Sequence, residues 1–279
     1  MDSNDTYIEI DFHVSPPYEG RDILLALLSQ QEFESFLETS KGLRAYTKQV
    51  YWNSINLQQV LSNMPSNFVI YYEINEIPIE NWNAHWESSF QPIVVGDYTV
   101  RAPFHHRKTT ENELIIEPKM SFGTGHHQTT QLMMRYALEI DMVGKSVLDM
   151  GCGTGILGIL AADLGAKSVL AIDIEPWCVE NTIENAERNR CDHIVKATRG
   201  DVDIVSETYD LIFANINRNI LIRHIPHYVK RIQSEGVLLL SGFYQIDFLS
   251  INKLCKLNGL SFHSNTQLDN WVCAKYVYS

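Results

Sequence analysis

Four short, almost uninterrupted apolar runs punctuate the second half of the chain: "SVLDM" (146–150), "SVLAIDI" (168–174), "YDLIFANI" (209–216) and "GVLLLSG" (236–242). Each is of strand length, and the stretches between them have the apolar spacing of helices. Runs apolar on both faces belong to strands covered on both sides, so the pattern predicts a parallel, doubly wound α/β sheet. The first run opens directly into glycine, in "DMGCGTGILG" (149–158), and a helix is predicted to begin near Ile156. Such a turn lets a ligand lie against bare backbone, while the helix N-terminus offers free N–H groups to an anion. A small-molecule cofactor is therefore expected at Gly151 and Gly153.

Spacing narrows which one. A dinucleotide fingerprint counted from Gly151 needs glycine at 156, where isoleucine stands, and a P-loop needs a lysine that does not follow. Asp173 closes the second run and suits the tip of a strand that accepts hydrogen bonds from two ribose hydroxyls. That serves any nucleoside. An acid ahead of a Gly-x-Gly-x-Gly turn, here Asp149, resembles the first motif of S-adenosylmethionine-dependent methyltransferases, whose anionic group is a carboxylate. In "TRGDV", Asp201 sits where such enzymes often place an acceptor for the adenine amino group, although an aspartate there also makes turns. Asn215 ends the third run, at the edge of an open sheet where ligands bind. Its carboxamide oxygen can hold a nitrogen nucleophile in line with a methyl group.

The first half reads differently. "YIEIDFHV" (7–14) alternates apolar and polar residues, as a half-buried strand does. A helix over "GRDILLALLSQQ", a hairpin of "FESFLET" and "RAYTKQVYW", a helical piece over 56–62 and a strand at 67–75 complete a strand-helix-strand-strand-helix-strand order. That order is the split, ferredoxin-like α+β arrangement. In "PIENWNAHWESSF" (78–90), Trp82, Trp86 and Phe90 share one face of a predicted linker helix. The expected organisation is thus a small domain over 1–77, a linker helix over 78–92 and a Rossmann-like domain over 93–279, with "IVVGDYTVRAP" and "ELIIEP" as short leading strands.

A second glycine turn precedes this domain's first strand in "SFGTGHHQTT" (121–130). Adjacent histidines invite a metal reading, yet His126 and His127 should point apart and no third ligand follows at a suitable spacing, so no metal is expected. A general-base role for either stays open. His105 and His106 read as a polar turn. Cys152, Cys178, Cys191, Cys255 and Cys273 are scattered and never form CxxC, which suits reduced thiols. A formal charge of -12 disfavours a nucleic-acid binder and leaves a basic partner open. No apolar run reaches the roughly 18–20 residues of a membrane helix, and the acidic N-terminus lacks an apolar leader. A cytoplasmic monomer without membrane contact is expected.

Taken together, "FGTGHHQTT", "DMGCGTGIL", "AIDI" and "NINRNIL" resemble the PrmA family, methyltransferases of large-subunit ribosomal protein eleven. The resemblance is close from about Phe122 to Asn219 and extends to the whole layout. It implies a class I methyltransferase using S-adenosyl-L-methionine, acting on lysine ε-amines and the N-terminal α-amine of that protein, with the small domain recognising the substrate. Residue by residue, it places Thr130, Gly151, Asp173 and Asn215 on the cofactor. His126 and Gln128 depart from the family pattern, where some relatives have threonine and proline. The alternative is an S-adenosylmethionine-dependent N-methyltransferase for another protein, a nucleic acid or a small molecule; the Asn/Asp-Pro-Pro-aromatic motif of many base methylases is absent.

Overall fold

The computed structural model describes residues 6–78, 90–106 and 112–279. The chain forms two compact units, the first covering the described residues up to Pro78 and the second those from Phe90 onward. The predicted linker helix lies outside the described residues. No described helix is long and apolar enough to cross a membrane.

In the first unit, β1 (Thr6–Ser15), α1 (Pro17–Leu28), β2 (Ser35–Thr39), β3 (Gly42–Lys48), α2 (Gln49–Trp52), α3 (Leu57–Leu61) and β4 (Val69–Pro78) follow one another. The sheet runs β2-β3-β1-β4, antiparallel throughout, which is the ferredoxin-like arrangement read from the sequence. The alternation in β1 sets its sides: Ile8, Ile10, Phe12 and Val14 are buried with Leu24 and Leu28 of α1 and Leu57 and Val60 of α3. Each such side chain contributes about 1.5–3 kcal/mol. Its other face is polar, with Arg44 Nε 2.8 Å from Asp11 Oδ2. Two boundaries differ from expectation. The first helix starts at Pro17, which suits an N1 position because its missing N–H is needed by no carbonyl. The hairpin's second strand stops at Lys48, paired with Tyr7 at the near end of β1. From Gln49 onward "QVYW" takes local helical hydrogen bonds instead.

The second unit begins with a small sheet of β5 (Ile93–Val95), β6 (Tyr98–Arg101) and β7 (Asn112–Ile115). There follow α4 (Gln128–Leu138), β8 (Ser146–Met150), α5 (Ile156–Asp163), β9 (Ser168–Asp173), α6 (Pro176–Arg188), β10 (Val195–Arg199), β11 (Tyr209–Asn215), α7 (Arg218–Tyr228), β12 (Ile232–Tyr244), α8 (Phe248–Leu257), β13 (Leu260–Leu268) and β14 (Trp271–Tyr278). The large sheet has the order β10-β9-β8-β11-β12-β14-β13. Its first five strands are parallel, and the central ones are buried on both faces: Val147, Ala171, Leu211 and Phe213 belong to one core, Leu148, Ile172, Ile212 and Ala214 to the other. The four predicted runs are parallel as expected, and beyond them β14 runs antiparallel to both β12 and β13. Asp269 and Asn270, both at positive φ, form a two-residue turn, and a tight hairpin can only join antiparallel strands. Chain order reverses between β8 and β11, so a crevice opens at their carboxyl ends.

Candidate active site

Both glycine turns face that crevice. Where β8 ends, Gly151, Gly153 and Gly155 all take positive φ (74°, 56° and 80°). Gly151 and Cys152 donate their N–H groups to the Ile172 carbonyl at 2.8 and 3.0 Å, which folds the turn back onto β9. A Cβ on Gly153 would strike the Phe122 carbonyl, so a side chain is excluded there by backbone. That carbonyl belongs to the other turn, and it accepts from Thr154 N–H at 2.9 Å. The Thr154 hydroxyl in turn donates to the Gly123 carbonyl. The two turns are thus stitched together through Thr154: the second lines the crevice with Gly151 and Gly153, and the first sets Phe122 at its edge.

Asp173 is fixed by two backbone donors, Gly153 N–H to Oδ2 and Glu175 N–H to Oδ1, each at 3.0 Å. Lone pairs remain on both oxygens for a ligand. Asp149 lies fully inside, accepting Gly158 N–H on Oδ2 at 3.0 Å. Burial pushes its carboxyl up to about 7. Asp201 accepts from Val202 N–H at 2.7 Å, making the turn its residue type suggests, and it also lines the crevice.

The crevice holds a cavity of about 320 Å³ bordered by Gly151, Gly153, Asp173, Asp201 and Asn215. Beside it lies a second cavity of about 230 Å³, bordered by His127, Thr129, Gly242 and Trp271. Phe122, Asn215, Ile216 and Asn217 border both. Asn215 Oδ1 is buried at this junction and takes no hydrogen bond among the described residues. An unsatisfied buried acceptor costs about 1–3 kcal/mol unless a ligand supplies a donor. The larger cavity combines bare glycine with apolar walls from Met150, Ile174 and Ile220, and with three acids, Asp173, Glu175 and Asp201. With three acids against one arginine, Arg223, this lining disfavours a phosphate and fits a nucleoside that donates hydrogen bonds and carries positive charge, the properties of S-adenosylmethionine.

The remaining sequence-derived residues fall as follows. Thr130 is fully buried in α4, borders neither cavity, and its hydroxyl has no hydrogen-bond partner among the described residues. His127 caps α4: its Nδ1 accepts Thr129 N–H at 3.2 Å and lies 2.8 Å from the Thr129 hydroxyl. Burial lowers its affinity for a second proton, so the ring is neutral with its hydrogen on Nε2. No lone pair is left to serve as a base. His126 turns away, Nε2 2.9 Å from the Gln91 carbonyl and its ring on Phe90. His105 holds Ala102 N–H through Nδ1 at 3.0 Å, as a turn residue does. Among the described residues no group of three or more His, Cys, Asp or Glu is placed to hold a metal. Sequence reasoning missed Glu175, Ile216, Ile220, Arg223 and His224. Their only signal is position, two residues past Asp173 or just after Asn215.

The sequence is similar to a described family over most of its length. The profile of "Ribosomal protein L11 methyltransferase (PrmA)" matches residues 19–278. A ribosomal protein L11 methyltransferase of Phocaeicola vulgatus is 40% identical over 97% of this chain and 99% of its own. That of Porphyromonas gingivalis is 43% identical over 92% and 90% respectively. Among solved structures, a ribosomal protein L11 methylase from Lactobacillus delbrueckii subsp. bulgaricus superposes with a TM-score of 0.62 at 26% identity, covering 67% of this chain and 98% of its own.

Proposed function

Because the chain belongs to the ribosomal protein L11 methyltransferase (PrmA) family, we propose that Asn215 holds the acceptor amine at the junction of the two cavities and that the larger cavity seats the methyl donor. The enzyme is an S-adenosylmethionine-dependent protein methyltransferase and its substrate is ribosomal protein L11. When bound, S-adenosylmethionine supplies a methyl group on a sulfonium, whose departure leaves a neutral thioether. The chain's own residues supply placement. In our reading Asp173 accepts from the ribose hydroxyls, Asp201 from the adenine amino group, and the turn at Gly151 and Gly153 lies beneath the amino-acid portion.

The acceptors we propose are lysine ε-amines and the N-terminal α-amine of L11. Only a neutral amine attacks, and the ordinary pKa values are about 10.4 and about 8. Desolvation favours the uncharged form, and the smaller cavity offers apolar walls toward it in Phe122, Ile216 and Trp271. The Asn215 carbonyl oxygen accepts one amine hydrogen and so directs the lone pair along the transfer axis; alignment of this kind dominates an in-line displacement. His127 does not take the proton, since its free nitrogen lies on the cap. The first unit is proposed to recognise L11, and the chain's formal charge of -12 suits a lysine-bearing partner.

The observation that carries this reading is the unsatisfied Asn215 oxygen shared by both cavities. It is tested with methyl-labelled S-adenosylmethionine and ribosomal proteins from a strain lacking the enzyme, the modified residues being located by mass spectrometry. Label on L11 amines is expected. Label confined to a nucleic acid, a metabolite or oxygen and carbon atoms of the protein would overturn the assignment.

A further inference from the structure

His224 stands on α7 at the border of the larger cavity, 5% exposed, and the transfer chemistry above makes no use of it. Its Nε2 is 3.2 Å from Asp201 Oδ1, and its Nδ1 is 3.3 Å from the hydroxyl of Tyr228, one helical turn on. A carboxylate only accepts, so the nitrogen facing Asp201 carries the hydrogen. Burial disfavours a second proton on the ring and keeps the Tyr228 hydroxyl protonated. The tautomer is then fixed: Tyr228 O–H donates to Nδ1, and Nε2–H donates to Asp201.

Asp201 Oδ1 therefore receives two donors, His224 Nε2–H and Val202 N–H at 2.7 Å. Oδ2 takes no hydrogen bond from the described residues and is left for a ligand. The Asp201 side chain is 51% exposed, and its other tie, to Val202, is internal to its own turn. Among the described residues only the buried ring reaches it from a different element. We propose that His224 is a positioning residue: it aims the free oxygen of Asp201 at the exocyclic amino group of the donor's adenine, and thereby sets selectivity for an aminopurine over an oxopurine. The inference rests on the assignment of Asp201 to that amino group.

The test is calorimetric binding of S-adenosylhomocysteine and its deaminated analogue S-inosylhomocysteine to the full chain. Wild type should prefer the amino form. His224→Leu should weaken S-adenosylhomocysteine about five- to tenfold, the effect of losing support for a charge-assisted hydrogen bond, while the inosyl form is little changed. His224→Gln places an N–H donor where Nε2 stands and should keep the preference. His224→Asn is too short and should lose it, which gives a second reading should the leucine variant fail to fold. Wild-type affinity and preference in the leucine or asparagine variant would overturn the proposal; so would an equal loss for both nucleosides in every variant, glutamine included. Asp201→Ala separates the premise: a retained preference there removes the adenine assignment itself, whereas a lost preference beside unaffected His224 variants removes only the role of His224.

Discussion

The two glycine-threonine-glycine turns share a tripeptide and positive φ at both glycines, yet their surroundings make them different objects. The second, at 153–155, is tied to a buried strand and helix, and at Gly153 it meets the carbonyl of Phe122. The first, at 123–125, lies on the second, and a Cβ on Gly125 would meet the side chains of Ile93 and, less closely, Ile156. Each hands over to a helix whose first turn is capped from outside, by Asp149 in one case and His127 in the other. The difference teaches that the tripeptide fixes only a turn. What that turn can bind is decided by whether backbone or side chain stands opposite.

Substitutions can break or sharpen the contrast. The largest effect is expected for Gly153→Ala, where a strained φ and a backbone collision together cost about 4 kcal/mol. Gly125→Ala, opposite a movable side chain, should cost about half of that in chemical denaturation. Equal losses would show that the two turns are equally constrained. Next in size is a pH effect of Asp149. Its folded-state pKa, about 7, lies above the ordinary 3.8, so its contribution is fully present at acid pH and is lost as pH rises through about 7. Between pH 4.5 and 7, wild type should lose about 3 kcal/mol relative to Asp149→Asn, with no further change above that range. A constant difference between the two proteins would refute the buried, protonated carboxyl.

Asp173→Ala should weaken S-adenosylhomocysteine about thirtyfold in calorimetry, as expected when hydrogen bonds to a charged group are lost. An undiminished affinity removes its ribose assignment. The smallest effect belongs to the first turn's cap. His127→Ala should lower stability by about 1 kcal/mol and leave in place the fall of rate at low pH that protonation of the acceptor amine produces, the acid limb of the pH–rate profile. Disappearance of that limb would restore His127 as a base.

How much of this the sequence disclosed follows from the range of each signal. Buried parallel strands declare themselves locally, so β8, β9, β11 and β12 were legible as apolar runs, and with them the positions of Gly151, Asp173 and Asn215 at strand ends. The half-buried β1 was legible by alternation. The antiparallel β13 was not, because "SFHSNTQL" at a sheet edge is mostly exposed and carries neither pattern; the Asp269–Asn270 turn was its one local cue. The end of β3 at Lys48 has no local mark within "RAYTKQVYW". His127 could not be read as a cap before the first residue of α4 was known. The link between Tyr228, His224 and Asp201 was equally hidden, since it joins a helix to a loop in a different segment.

The central claim, that the two turns build one crevice in which Asn215 serves the acceptor more than the donor, is tested most directly by Asn215→Ala. Dissociation constants for S-adenosylhomocysteine and kcat on L11 are measured for the same preparation. The account predicts a kcat reduced about a hundredfold or more, as misplacement of a reacting group produces, with cofactor affinity within about threefold of wild type. An unchanged kcat, or a kcat loss matched by an equal loss of cofactor affinity, would contradict it.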